Sequence, residues 1–195
     1  MSSNLFKAID KRQIENILKR ALNYEGWSIQ GFGMLRLYLT KEIRLHVWDA
    51  RFMVPNVSLV HDHPWNFFSR VIAGQIENAR YYVREPDAGS PNYFFSTIQC
   101  GPGGGMRSEP KLIGLARHPS HTYIEGQSYS QEASEIHDTD YRDGTVTLVE
   151  RTFKQDTEHA RVFWKESEQW ISAEPRKADE QEVEQICHRA LSNWF

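Results

Sequence analysis

Cysteine is scarce: Cys100 and Cys187 are the only two in a chain of 195 residues. Two cysteines make no disulfide framework and fit a reducing compartment. No apolar run approaches the roughly 18 residues of a membrane span. The opening MSSNLFKAID has no apolar run long enough for a secretory signal. Charge of one sign is lacking too. The 23 Lys and Arg oppose 26 Asp and Glu, for a net −3, and no block of like charge stands out. That argues against nucleic acid and anionic membranes as partners. Internal repeats and low-complexity tracts are absent. What these absences leave is the expectation of a soluble cytoplasmic protein acting on a small-molecule substrate, with a homodimer left open.

Aromatic residues are plentiful. The 10 Phe, 8 Tyr and 6 Trp supply material for a sizeable core. Residues 4–24 place Leu5, Phe6, Ile9, Ile14, Ile17, Leu18, Ala21 and Leu22 at mostly helical spacing, so one amphipathic helix is predicted there. Val183, Ile186, Cys187, Ala190, Leu191 and Trp194 make a second stripe, with acidic residues at its start where the helix dipole favours them. Between these helices the period changes to two. MLRLYLT and IRLHVWDA, joined by KE, read as a hairpin. Further predicted strands are SLVHDH, FSRVIAGQI, NARYYVR, NYFFSTIQ, KLIGLAR, HTYIE, YSQEASEIH and TVTLVERTF. EPDAGSPN, GPGGGMRSEP and DYRDG are turn-rich, and SAEPRKADEQ reads as a linker. Many short strands with turn signals predict a mostly β sandwich or small barrel with a helix at each end. The expected segments are 1–28 helical, 29–172 barrel and 173–195 helical.

One stretch carries candidate chemistry. In SLVHDHPWNFFSRVIAG, His61 and His63 flank Asp62. On a strand they point to the same face and Asp62 to the other, about 7 Å apart along the chain. Two such imidazoles can converge on one ion. The best third ligand is His137 in QEASEIH. If that run is one strand, Gln131, Ala133, Glu135 and His137 share a face. Glu135 is then a candidate fourth ligand or proton acceptor. The alternative is two polar residues on an exposed strand, an ordinary loop histidine and a solvated Glu135. Imidazole suits Fe, Zn, Ni and Cu alike, so the ligands do not name the metal.

These residues resemble the two motifs of the cupin superfamily. The first motif runs glycine, five residues, His-x-His, three or four residues, glutamate, six residues, glycine. His61, His63 and Gly74 sit at those spacings, while Pro55 holds the opening glycine position and Phe67 the glutamate position. In the second motif Gly126 and His137 fit, while Glu132, Ser134 and Tyr141 replace its proline, second glycine and asparagine. The resemblance covers roughly residues 33–153. It implies a cupin-type double-stranded β-helix, the jelly-roll barrel, with His61, His63 and His137 as metal ligands. The absent glutamate makes the site similar to the cysteine dioxygenase-like thiol dioxygenases, as does the run LHVWDARFMVPNVSLVHDH. That group implies one divalent metal, Fe(II) first, with Zn(II) or Ni(II) as alternatives. It also implies a carboxylate-binding arginine on an early strand, for which Arg36 or Arg44 stand as candidates. The further histidine that the group carries beside its metal ligands, in a Ser-His-Tyr set, has no counterpart on TVTLVERT, where Val149 or Glu150 stands, and this argues against cysteine as substrate.

Other features have bland readings beside the sharp ones. Tyr141 is a candidate hydroxyl near the site, or surface packing at a loop start. His118 and His121 in RHPSHTY have metal-like spacing, but a turn around Pro119 explains them. GPGGG lacks the Lys-Ser/Thr of a phosphate loop. Arg44, His46 and Trp48 share one strand face, facing either the interior or solvent. The functional expectation is a mononuclear non-haem iron, dioxygenase-like oxidoreductase acting on a small acid or thiol. The alternatives are a non-catalytic module binding a small ligand or metal, and a sugar-type isomerase using a histidine base.

Overall fold

The computed structural model describes residues 2–99, 108–154, 159–168 and 174–194. Cys100 and the GPGGG stretch lie outside them.

The amino-terminal region is two helices, not one: α1 (Asn4–Ala8) and α2 (Lys11–Lys19), followed by a 3-10 turn at Ala21–Asn23. The break has a local cause. Ile9 and Asp10 are extended, and Asp10 starts a new helix by accepting from the Gln13 backbone while the Gln13 side chain accepts from the Asp10 N–H. Two orphan donors are satisfied by that exchange, which outweighs continuing the apolar stripe. The last helix, α3 (Glu180–Ser192), opens with the same device between Asp179 and Glu182.

Among the described residues, fourteen strands lie between. They are β1 (Ser28–Gln30), β2 (Phe32–Tyr38), β3 (Ile43–Met53), β4 (Val60–His61), β5 (Trp65–Ala73), β6 (Gln75–Arg84) and β7 (Asn92–Gln99), then β8 (Lys111–Arg117), β9 (His121–Ile124), β10 (Ser128–Gln131), β11 (Ile136–Tyr141), β12 (Val146–Lys154), β13 (His159–Lys165) and β14 (Arg176–Lys177). They form two antiparallel sheets. The first runs β10-β5-β12-β3-β2-β1-β14 and the second β11-β4-β13-β7-β8-β6-β9. Because β11 also pairs with β6, the second sheet curls back on itself. Gly74 makes the tight passage from β5 to β6. Its φ of +82° suits glycine, and a Cβ there would come within 2.8 Å of Thr145 Cα.

Alternation along the first sheet sends its two faces to different neighbours. Leu35, Leu37, Ile43, Leu45, Val47, Val146 and Leu148 meet Phe6, Ile14, Leu18, Val183, Ile186 and Ala190 of the helices in the main core. Terminal helices and sheet therefore share one apolar layer. Arg70 on β5 hydrogen-bonds the Phe6 and Ile9 carbonyls at the end of α1. The opposite face turns toward the second sheet, where Met34, Trp48 and Val71 pack with Ile76 and Tyr141. No helix among the described residues is long and apolar enough to cross a membrane.

The hairpin β2–β3 and strands β7, β8 and β12 lie where the alternation predicts. Five expectations need correction. FSRVIAGQI is not one strand: it is the end of β5 and the start of β6, divided at Gly74. SLVHDH is a strand only at Val60–His61. NARYYVR is the far part of β6, continuous from Gln75. YSQEASEIH is not one strand: it breaks at a turn over Glu132–Glu135, with Ser134 at φ +64°. The predicted linker contains β14, which pairs with β1. Strand β13 was not predicted, although Ala160, Val162 and Phe163 are buried.

Candidate metal centre

His61 ends β4, His63 follows in the connection to β5, and His137 is the second residue of β11. His61 and His137 are direct cross-strand partners. One ligand nitrogen from each of the three imidazoles lies within 4.8 Å of the others. Ring centroids are 4.7 Å apart for His61–His63, 4.7 Å for His61–His137 and 5.3 Å for His63–His137. Among the described residues no carboxylate or thiolate joins the trio.

Asp62 explains how a short strand presents both flanking histidines. Its carboxylate accepts from Arg161 N and Nε on β13, each at 2.6 Å, and its own N–H donates to the Arg161 carbonyl. That clamp turns the aspartate away and leaves His61 and His63 facing His137. Alternation thus holds even though regular pairing stops at His61.

Proton placement follows from the partners. His61 Nδ1 is 2.8 Å from the Leu59 carbonyl. A carbonyl only accepts, so Nδ1 carries the hydrogen and Nε2 keeps its lone pair. The Asn78 amide nitrogen lies 3.1 Å from His137 Nδ1. In that orientation Nδ1 accepts and Nε2 is protonated. A half-turn of the amide presents Oδ1 instead, which takes Nδ1–H and frees Nε2 for a metal. His137 Nε2 is buried and has no hydrogen-bond partner. An orphaned imidazole nitrogen between two others is what a metal ligand looks like before the ion is added.

Electrostatics points the same way. Burial holds His63 well below the ordinary histidine range, with the positive ends of His61, His137, Arg44 and His46 acting in the same direction. Burial first, then His61 and Arg80, does so for His137. His61 is lowered by burial, partly offset by the Leu59 carbonyl and by Asp62 and Asp138. Neutral imidazole is the form that binds metal.

Aromatic rings wall the trio. Phe32 stacks on His61 at 5.3 Å and Trp65 on His63 at 5.1 Å. Phe67, buried, is 5.6 Å from His63 and 5.9 Å from His137. The side chain at position 67 therefore abuts the cluster and has no donor atom.

The other candidates sit elsewhere. Glu135 lies in the turn that splits the expected strand. Its carboxylate accepts from the Glu132 N–H and pairs with Arg80 at 3.1 Å, so it does not join the histidines. Tyr141 is half-buried and donates to the Phe32 carbonyl at 2.6 Å while packing on Trp48. It stands behind Phe32, the ring that covers His61. Arg36 lies on the inner face of the first sheet, opposite His46 on β3, and its Nε donates to Ser28 Oγ. Arg44, His46 and Trp48 are buried on that same face. His118 packs against Tyr82 in the short connection from β8 to β9, and neither it nor His121 joins the cluster.

Trp65, Asn78 and Arg151 were not singled out by sequence. Trp65 shares parity with His63 and Phe67, a signal that was there to read. Asn78 and Arg151 gain meaning only from cross-sheet contacts.

No protein-family model matches the chain, and no curated protein matches it significantly.

Proposed function

We propose that the chain is a cupin-type jelly-roll protein in which His61, His63 and His137 bind one divalent transition metal, Fe(II) first. We further propose that it acts as a mononuclear non-haem iron oxygenase on a small acid or thiol. The observation that supports this best is the convergence of three imidazoles with a buried, unpartnered His137 Nε2. Bound there, iron would supply activation of dioxygen.

The protein's own residues have definable tasks. The three histidines contribute no charge, so an anionic substrate donor is favoured beside the ion. Phe67 keeps a fourth protein ligand out. Leu59 and Asn78 set the imidazole orientations, and Asp62 with Arg161 fixes the backbone that carries His61 and His63. Phe32 and Trp65 exclude water from the flanks. No histidine stands on β12 where the thiol dioxygenases carry one beside the substrate; Val149 is buried there and Glu150 accepts from the Ser3 N–H, so a substrate other than cysteine is favoured.

Elemental analysis of protein kept from chelators and nickel columns tests the metal, with close to one equivalent expected. Less than about a tenth of an equivalent, with no uptake of Fe(II), Zn(II) or Ni(II), removes the site. Anaerobic Fe(II) loading followed by an oxygen-electrode screen of small thiols, keto acids and diketones tests the reaction. Substrate-dependent uptake lost in His137→Ala is expected. Uptake no greater than that of Fe(II) alone refutes the oxygenase.

A further inference from the structure

Three arginines share the inner face of the first sheet on adjacent strands: Arg36 on β2, Arg44 on β3 and Arg151 on β12. They gather round two rings. The Arg44 guanidinium is 5.5 Å from Tyr38 and 5.4 Å from Trp65. Arg151 is 6.0 Å and 5.5 Å from the same rings, and Arg36 is 5.1 Å from Tyr38. Arg44 is only 7 % exposed, whereas Tyr38 is 44 % exposed, so the cluster runs from the interior to the surface.

Among the described residues much of their hydrogen-bonding capacity is unspent. Arg36 Nε uses Ser28 Oγ, Arg151 uses the Lys41 carbonyl, and Arg44 reaches the Tyr38 hydroxyl while its Nε stays buried without a partner. Among the described residues none of the three forms an ion pair with a carboxylate. Other arginines of this protein behave differently: Arg51 and Arg189 pair with the buried Asp49, and Arg161 with the buried Asp62. Burial pushes Arg44 down to about 10, Tyr38 opposes the shift, and Arg36 and Arg151 add to it. Like charges gathered with little solvent and no counter-charge among the described residues are costly, and contacts with ring faces offset only part of that.

We propose that Arg36, Arg44 and Arg151 bind a doubly charged oxyanion, a phosphate monoester above all, as the anchoring end of the substrate. Charge decides between oxyanions. A single carboxylate leaves two of the three positive charges uncompensated, and a phosphate dianion leaves one. Guanidinium forks match the oxygen spacing of either group. Trp65 links this anchor to the histidines, with one neighbour at His63, 5.1 Å away, and the others at Arg44 and Arg151. Trp65 Nε1 and His46 Nε2 are buried and unpartnered, a donor and a ring nitrogen for the substrate's middle. The assignment of the substrate's other end to the histidines rests on the metal-centre reading; the oxyanion site itself does not.

Calorimetric titration of the full chain with inorganic phosphate and with acetate, at constant ionic strength, tests the site. Phosphate is expected to bind the metal-stripped chain more tightly than acetate. Arg36→Met and Arg151→Met, both at partly exposed positions, should each weaken phosphate about tenfold or more. Arg44→Met should do so at least as strongly where circular dichroism shows it folded. His137→Ala should abolish metal uptake and leave phosphate binding intact. Phosphate binding unchanged in both Arg36→Met and Arg151→Met overturns the proposal. Acetate binding as tightly as phosphate overturns the choice of a dianion. If the parent chain takes up no metal, the histidine reading fails, and the phosphate titrations still decide the arginine site.

Discussion

Replacing Asn78 with leucine tests how His137 is held. Asn78 is buried, and its amide is 3.1 Å from His137 Nδ1. Leucine has similar bulk, so packing against its neighbours changes little while the polar contact disappears. For Nε2 to bind a metal, Nδ1 must carry its hydrogen, and Oδ1 of the turned amide is the acceptor that stabilises this tautomer. Leucine leaves a buried Nδ1–H without a partner. An intramolecular hydrogen bond contributes about 0.5–1.5 kcal/mol, and a buried group left unsatisfied costs about 1–3 kcal/mol. Removing the partner of a ligating histidine weakens metal affinity about 10- to 100-fold, or roughly 1.4–2.7 kcal/mol. Both ranges place the loss near the same size. Competition with a chromophoric chelator, using Zn(II), measures it. Asn78→Asp should restore affinity or exceed the parent, because a carboxylate accepts from Nδ1–H and strengthens the ligand. A folded Asn78→Leu protein with zinc affinity within about twofold of the parent would refute the reasoning.

Phe67→Glu should place a carboxylate beside His63 and His137, lowering the melting temperature of the metal-stripped protein and enlarging the rise on adding Zn(II); equal shifts in parent and variant would show that position 67 does not reach the ion. Glu135→Gln should leave zinc affinity unchanged and alter stability by no more than about 1 kcal/mol, since it loses only a half-exposed pair with Arg80. Asp62→Ala should lower both stability and metal affinity, with the loss in affinity absent if the Arg161 clamp does not orient the histidines. The metal-free protein should destabilise as pH falls below about 6.5. Its His63, His137 and His46 are all lowered, so the unfolded chain takes up protons first. The stability they confer is full above the unfolded value and is lost toward the folded one. Each histidine contributes up to about 1.4 kcal/mol per pH unit across that window, and a flat melting profile from pH 8 to 5 would contradict it.

Much of the sheet was legible because alternation is local. Strands β7 and β8 are bounded in the sequence by turn-forming residues, and their inward positions follow from parity alone. The histidine trio was legible for a related reason: parity aims His61 and His63 together, and motif spacing supplies His137. Glu135 shows the limit. Its parity was counted through a run that bends at Ser134, and one residue with positive φ reverses everything counted beyond it. The amino-terminal helices show another limit, since the cap at Asp10 competes with a stripe that reads as continuous. Strand β13 was missed because HARVFWK begins beside polar residues and has no turn signal of its own. The arginine cluster could not be read at all: its three members are spread over 115 positions from Arg36 to Arg151, and only pairing of β2, β3 and β12 assembles them.

The way the second sheet curls back on itself gives the histidines a mechanical part. Strand β4 has two residues, joined to β13 by two pairs and to β11 by the single pair His61–His137. The ring of strands is thinnest at that point, and the two side chains flanking the seam belong to the trio that could hold a metal. An ion bound across them would act as a rivet between segments 76 positions apart in sequence, His61 and His137. Losing it should open the seam before the rest of the protein yields. Amide hydrogens of residues 59–63 should then exchange early in the stripped protein, while those of β3 and β12 stay protected.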